Sequence, residues 1–267
     1  MSARISTPGG AFDAVGVLRK NAELYLQLEL AQDQIFRQRE ELSWYALVDY
    51  LFSDLINRVT PYAGSTLFEA SLRAAQDQSL ALWVERFYEQ WESQWPRLAA
   101  YQHQVSASKV NADYVNLSPW TVRVQREVRA DIRKRVTLMF ATNLREWTNF
   151  AGQQSEFYQY ATASVIRRRK IITTLEITSM LSTAKDWAVA ELGYGKFDKI
   201  WRTEGDEWVR DSHTKQDELR IDADATFPNG CRFPGDPDAA IEETANCRCI
   251  CIYVPKENWP ESDVIES

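Results

Sequence analysis

Through most of its first 192 residues this chain has few places to turn. From Ala11 to Val59 there is almost no Gly or Pro, whereas half of the Gly and more than half of the Pro fall after residue 192. Helix-breaking residues set where a chain can reverse, so long helices are what the N-terminal part is left with. Apolar residues recur there at mixed three and four spacing: Leu18, Ala22, Tyr25, Leu28, then Trp44, Leu47, Leu51, Leu55. That is the period of one helix face and predicts one or two long helices over 11–59. Pro61 and Gly64 interrupt it. The pattern resumes from Leu67 to Trp91, where Leu80, Trp83, Val84, Phe87, Tyr88 and Trp91 form an aromatic stripe. Such a stripe reads as core, and Pro96 is expected near the end of that helix.

Residues 102–117 are polar and aperiodic, with His103 read as an exposed loop residue. Ser118 followed by Pro119 is a helix start, a capping hydroxyl and then Pro at the first helical position, and predicts a helix to about Phe150. It carries Arg123, Arg126, Arg129, Arg133, Lys134 and Arg135, with Arg126, Arg129 and Arg133 on one face. Arg167, Arg168, Arg169 and Lys170 repeat the basic signal before a further helix predicted from Thr173 to about Leu192, with Gly193 as its C-cap. Each strip is either a solvated helix face or a surface for DNA or an acidic partner.

After residue 192 the texture changes to turn residues and short alternating runs such as Ile250, Ile252, Val254. The expected fold class is mainly α: a long-helix body over 1–192, a small C-terminal α+β module over 193–254 and an acidic tail over 255–267. The formal net charge is -7, so no global positive field draws the chain onto nucleic acid, and any DNA contact must be local. Nowhere do about 18 apolar residues run together, and the start MSARISTPGG lacks the apolar segment of a secretory signal. No membrane association is expected, and the protein is expected in the cytoplasm or in something assembled there. The four Cys all lie after residue 230, too few and too clustered for a disulfide-stapled secreted domain.

Those cysteines carry the chemistry of the module. Cys247, Cys249 and Cys251 alternate with Arg248 and Ile250, so in a strand the three thiols share one side. Adding Cys231 and His213 yields candidate ligands enough for a tetrahedral zinc site, for which His213, Cys231, Cys247 and Cys249 are the set. Burial as small hydrophobes is the equal alternative, since a CxC pair lacks the usual spacing of about two to four residues between cysteines. Thr203 and Asp206 have capping-box spacing and predict a short helix carrying Val209, Arg210 and His213. Arg210 is expected to pair with Asp206 or Asp236.

Read in order, Trp201, Thr203, Asp206, Val209, Arg210, Ser212 and His213, then Phe227, then Pro234-Gly235-Asp236-Pro237, then Asn246-Cys247-Arg248-Cys249, this stretch of about 50 residues resembles the Mu F-like head morphogenesis (minor capsid) family of tailed phages. That family usually has Gly about five residues after the His, where this chain has Glu218, at which a positive φ would cost more. The resemblance implies a structural, non-enzymatic virion protein at the portal vertex or capsid interior, present in the host cytoplasm during assembly. Its implied partners are the portal protein, capsid components and packaged double-stranded DNA, in head assembly, packaging or ejection. Two other readings stand beside it. One is a metal-dependent hydrolase or nuclease using His213, the cysteines and Asp206, Asp211, Asp217, Asp222 and Asp224. The other is an internal DNA-contacting protein using Arg126, Arg129, Arg133, Arg167, Arg168 and Arg169.

Overall fold

The computed structural model describes residues 22–110, 112, 122–150 and 152–256. The first predicted helix before residue 22, the Ser118–Pro119 start and the tail from residue 257 lie outside the described residues. Among the described residues four long helices form the body: α1 (Ala22–Val59), α2 (Phe68–Lys109), α3 (Val122–Trp147) and α4 (Gln154–Leu192). The module follows as β1 (Phe197–Arg202), α5 (Asp211–Thr214), β2 (Arg220–Asp222), α6 (Ile241–Thr244) and β3 (Ile250–Pro255). The mainly α class with a small α+β end is therefore the observed one. The break expected at residue 192 is the end of α4, where Gly193 supplies the left-handed φ of 95° that leads the chain out of the helix.

Two helices are longer than their sequence signals. α2 does not end near Pro96 but passes through it to Lys109. An interior Pro costs a helix about 3 kcal/mol. The face beyond it offsets that by burying Leu98, Ala99, Gln102, His103, Ser106 and Ala107. His103 is thus no loop residue; it is buried on α2 with its ring 5.8 Å from that of Trp187. α4 begins 19 residues before the expected Thr173, at a reciprocal cap in which the Glu156 carboxylate accepts the Gln153 N–H at 3.1 Å. Arg167 to Lys170 therefore lie inside a helix.

α4 is the central element, packed on α1 and α2, with α3 against α2. The predicted aromatic stripe is core: Trp83, Phe87 and Trp91 are buried, joined by Trp44, Phe52, Trp95, Trp147 and Phe157. Rings meet edge to face, as in Phe52–Trp83 at 4.8 Å and Trp83–Phe140 at 4.7 Å, the arrangement that aligns ring edges with the negative faces of their neighbours. Into this core one ion pair is sealed. Arg135, from the helix read as a basic strip, points inward, and its Nε and Nη2 donate to Glu176 at 2.7 and 2.9 Å. The Trp91 indole N–H donates to the same carboxylate at 3.0 Å.

The sheet order is β2-β1-β3, antiparallel throughout. β1 alternates cleanly, with Phe197, Lys199 and Trp201 inward. Across the sheet Cys247, Cys249, Cys251 and Tyr253 join Phe197 and Trp201 in one cluster, while Ile250, Ile252 and Val254 form another with Ile200. The two-residue period separates thiols from aliphatics, as the alternation in the sequence requires.

A buried pair broken on one side leaves an uncompensated charge, so Glu176→Gln should lower unfolding free energy by about 3–5 kcal/mol in denaturant melts. The double variant Arg135→Met/Glu176→Leu should regain most of that loss. Equal loss in both would show that packing, not charge, governs the site.

Candidate metal centre

Three loops meet beneath β1. The first leaves β1 after Arg202 and makes a tight turn in which the Asp206 carboxylate accepts the Trp208 N–H at 3.1 Å, a local Asx turn. No helix starts at Thr203: its N–H donates to Asp217 at 2.8 Å, and Asp206 is engaged by both nitrogens of Arg248 at 2.7 Å each. The helix comes later, as the single turn α5, entered from extended Arg210 and placing His213 inward. Arg210 pairs with neither Asp206 nor Asp236; it donates to the Ala245 carbonyl at the end of α6. Those carboxylates already have planar guanidinium partners nearer at hand. Asp236 is held by Arg232, four residues before it, through the backbone N–H at 2.8 Å and two side-chain nitrogens at 3.2 and 3.0 Å.

The second loop carries Pro234 and Gly235. Gly235 has φ 75°, and a Cβ there would lie 3.1 Å from the Ser179 backbone nitrogen of α4. The Ser179 hydroxyl donates to the Gly235 carbonyl at 2.9 Å. Gly is required twice over, by dihedral angle and by closeness of approach. The third loop turns at Asn246, whose φ of 56° is a conformation Asn tolerates better than most side chains. Glu218, standing where the resembled family has Gly, also adopts positive φ, 64°, with its carboxylate on Arg202. From α1, Arg37 donates to Thr178 at 2.7 Å, and Thr178 donates to the Cys247 carbonyl at 2.9 Å. The body thus fixes the cysteine loop.

At the junction lie His213, Cys247 and Cys249, all buried, with their ligand atoms within 4.8 Å of one another. His213 Nδ1 is 3.4 Å from Cys249 Sγ and 3.8 Å from Cys247 Sγ. Zinc bonds of about 2.3 Å to sulfur and 2.0–2.1 Å to nitrogen, at a tetrahedral angle, put S and N about 3.6 Å apart. The observed spacings straddle that value, so this group can hold a metal ion. The other ring nitrogen, Nε2, is 3.1 Å from Glu243 Oε2, which also accepts from Ser212 at 3.0 Å and Asn229 at 3.2 Å. A carboxylate on Nε2 assigns its proton there and turns the Nδ1 lone pair to the thiols. The Trp201 ring stands edge-on to the imidazole, 5.0 Å away, and holds its plane. The neighbouring Cys249 thiol draws Cys247 well below the ordinary thiol range.

Cys231 is not brought into this group. It is fully buried in the cluster with Phe227 and Phe233, and burial pushes its thiol up to about 12; Cys251, deep in the same cluster, is raised likewise to about 12. Of the cysteines, two thus face a histidine in a group that can hold a metal ion, two pack as small apolar residues, and none of the four forms a disulfide. Of the acidic residues considered for metal chemistry, Asp206, Asp211, Asp217, Asp222 and Asp224 stay outside the group. Glu243 was not singled out by the sequence, because nothing in its spacing distinguishes it from neighbouring Glu242.

The arginine strips are largely neutralised. Arg129 is chelated by Glu85 at 2.6 and 3.1 Å and lies 3.6 Å over the Tyr88 ring. Arg167 and Arg168 face Glu146, and Arg169 pairs with Asp49 at 2.7 Å. Arg126 and Arg133 stand exposed on α3. No protein-family model matches this chain, and neither a curated protein nor a solved structure matches it.

Replacing Gly235 by Ala should cost about 1–3 kcal/mol, from positive φ and the contact with Ser179. Gly195→Ala, where a Cβ would meet nothing within 4 Å, is the control and should be close to neutral in the same thermal melts.

Proposed function

We propose that this chain is a structural minor capsid protein of a tailed bacteriophage, of the Mu F-like head morphogenesis kind, and that it acts without catalysing a reaction. The observation that carries the structural reading is how the motif residues are used. Asp206 is taken up by Arg248, Arg210 by the Ala245 carbonyl, Asp236 by Arg232, Gly235 by Ser179, and Trp201 by the face of His213. Residues spent on joining loops favour a stabilised knob over an active site. On this reading zinc, chosen for its affinity for thiolate and imidazole, staples α5 to the cysteine loop. The helical body presents the knob to the portal and capsid components, in the virion and, before that, in the host cytoplasm. No helix among the described residues is long and apolar enough to cross a membrane.

A DNA-contacting role is the second reading, favoured only by exposed Arg126 and Arg133. Locating the protein in assembled particles separates the two. Density at the portal vertex, with co-purification of the portal protein, is the expected outcome; absence from proheads and no portal association would overturn it. Metal analysis of the purified chain should give one zinc per chain, and none bound would remove the staple. Arg126→Glu/Arg133→Glu should leave DNA binding and its salt dependence unchanged, and a marked loss would favour the second reading.

A further inference from the structure

On the zinc reading of this centre, we infer that it is a three-ligand site, completed by His213, Cys247 and Cys249 and no other side chain, whose fourth position opens to solvent and takes water or a small anion. Three side chains come into question as a fourth protein ligand, and of these Glu204, exposed on the cleft rim, lies outside the compact group. Glu243 Oε2 accepts three hydrogen bonds, from His213, Ser212 and Asn229, which is the orienting role of a carboxylate behind a metal-bound imidazole. Cys231 lies outside the compact group, its thiol in the apolar cluster and its backbone N–H tied to Asn229 at 3.1 Å.

The remaining side is a cleft. His213, Cys247 and Cys249 line it together with Glu204, Arg210 and Arg248, and its free space is only about 10 Å³, so an outer ligand there is no larger than a water or a small anion. Charge agrees with the size. A divalent ion with two thiolates and a neutral imidazole is neutral, and the rim sets Arg210 and Arg248 beside Glu204, with Arg248 already paired to Asp206, so a water or a small anion completes the charge without a further cation. Zinc centres with three protein ligands keep an exchangeable position, whereas closed four-ligand centres do not. The staple is therefore able to exchange its outer ligand without unfolding.

Cobalt(II) loaded into the full-length chain in place of zinc tests this. The thiolate-to-cobalt charge-transfer intensity should correspond to two thiolates in the unmodified chain, a count that needs no variant. Cys231→Ala should keep that intensity, Cys249→Ser should reduce it to about half, and azide should shift the visible ligand-field bands. Glu243→Gln should weaken metal affinity by about 10–100-fold with the thiolate count unchanged, and Glu243→Asp should recover part of it. Three thiolates in the unmodified chain, or loss of about a third of the band in Cys231→Ala, would overturn the open position while leaving zinc binding intact. A spectrum indifferent to azide would do the same. Failure to bind cobalt or zinc at all would remove the zinc reading and this inference with it.

Discussion

The joint between the helices and the sheet depends on four buried charges. β3 is an edge strand, and the edge that β1 leaves open faces the helical body. Lys109 of α2 donates to the Tyr253 carbonyl at 2.6 Å, and Lys185 of α4 reaches the Cys251 carbonyl at 3.3 Å. Both ammonium groups are balanced by α1, where Glu29 takes Lys109 at 3.2 Å and Lys185 at 3.0 Å, and Asp33 takes Lys185 at 2.6 Å. Bringing four charges out of water is costly unless each is paired and its remaining donors are satisfied. Here two cations meet two anions, and strand carbonyls absorb further N–H donors. Although burial pushes an ammonium down, Asp33 and Glu29 hold Lys185 above its usual range. The same contacts block the sheet edge from pairing with another chain.

With β3 held, the module's loops have a wall to lie against. Ser179 and Thr178, adjacent on α4, grip Gly235 and Cys247 by their carbonyls. Those two grips set where the Pro-Gly-Asp-Pro turn and the cysteine loop stand relative to α5, and hence the distance from His213 to its thiols. The centre is thus built by the body as much as by the module. A site whose loops are cross-tied in this way is rigid, and a rigid surface loses little further entropy on binding a partner.

Much of this was legible beforehand, for reasons that differ by element. The stripe from Leu80 to Trp91 declared itself because helical period and aromatic content agree. The alternation of Cys247, Cys249 and Cys251 with Arg248 and Ile250 declared which residues would share a side, since a strand has a period of two. Pro96 misled, because a local rule puts a helix end near Pro, whereas burial of the next three turns outweighs its cost. His103 misled similarly: a polar stretch reads as exposed, yet its ring finds Trp187 on a helix 84 positions away. Arg210 was matched to acids of the right charge, but the nearer arginines Arg248 and Arg232 had claimed them.

By itself the sequence determined the partition into long helices and a turn-rich α+β end, the inward stripe, the shared side of the thiols and the approximate set of metal-type residues. These are consequences of periodicity and turn chemistry, which act over a few residues. Only the tertiary structure decided that Glu243 rather than another carboxylate stands behind His213, that Cys231 packs in the apolar cluster outside the His213 group, and that Lys185 answers to Asp33, 152 positions distant. Such choices are among many chemically equal partners, and only the closing of the chain around α4 brings one of them within bonding distance.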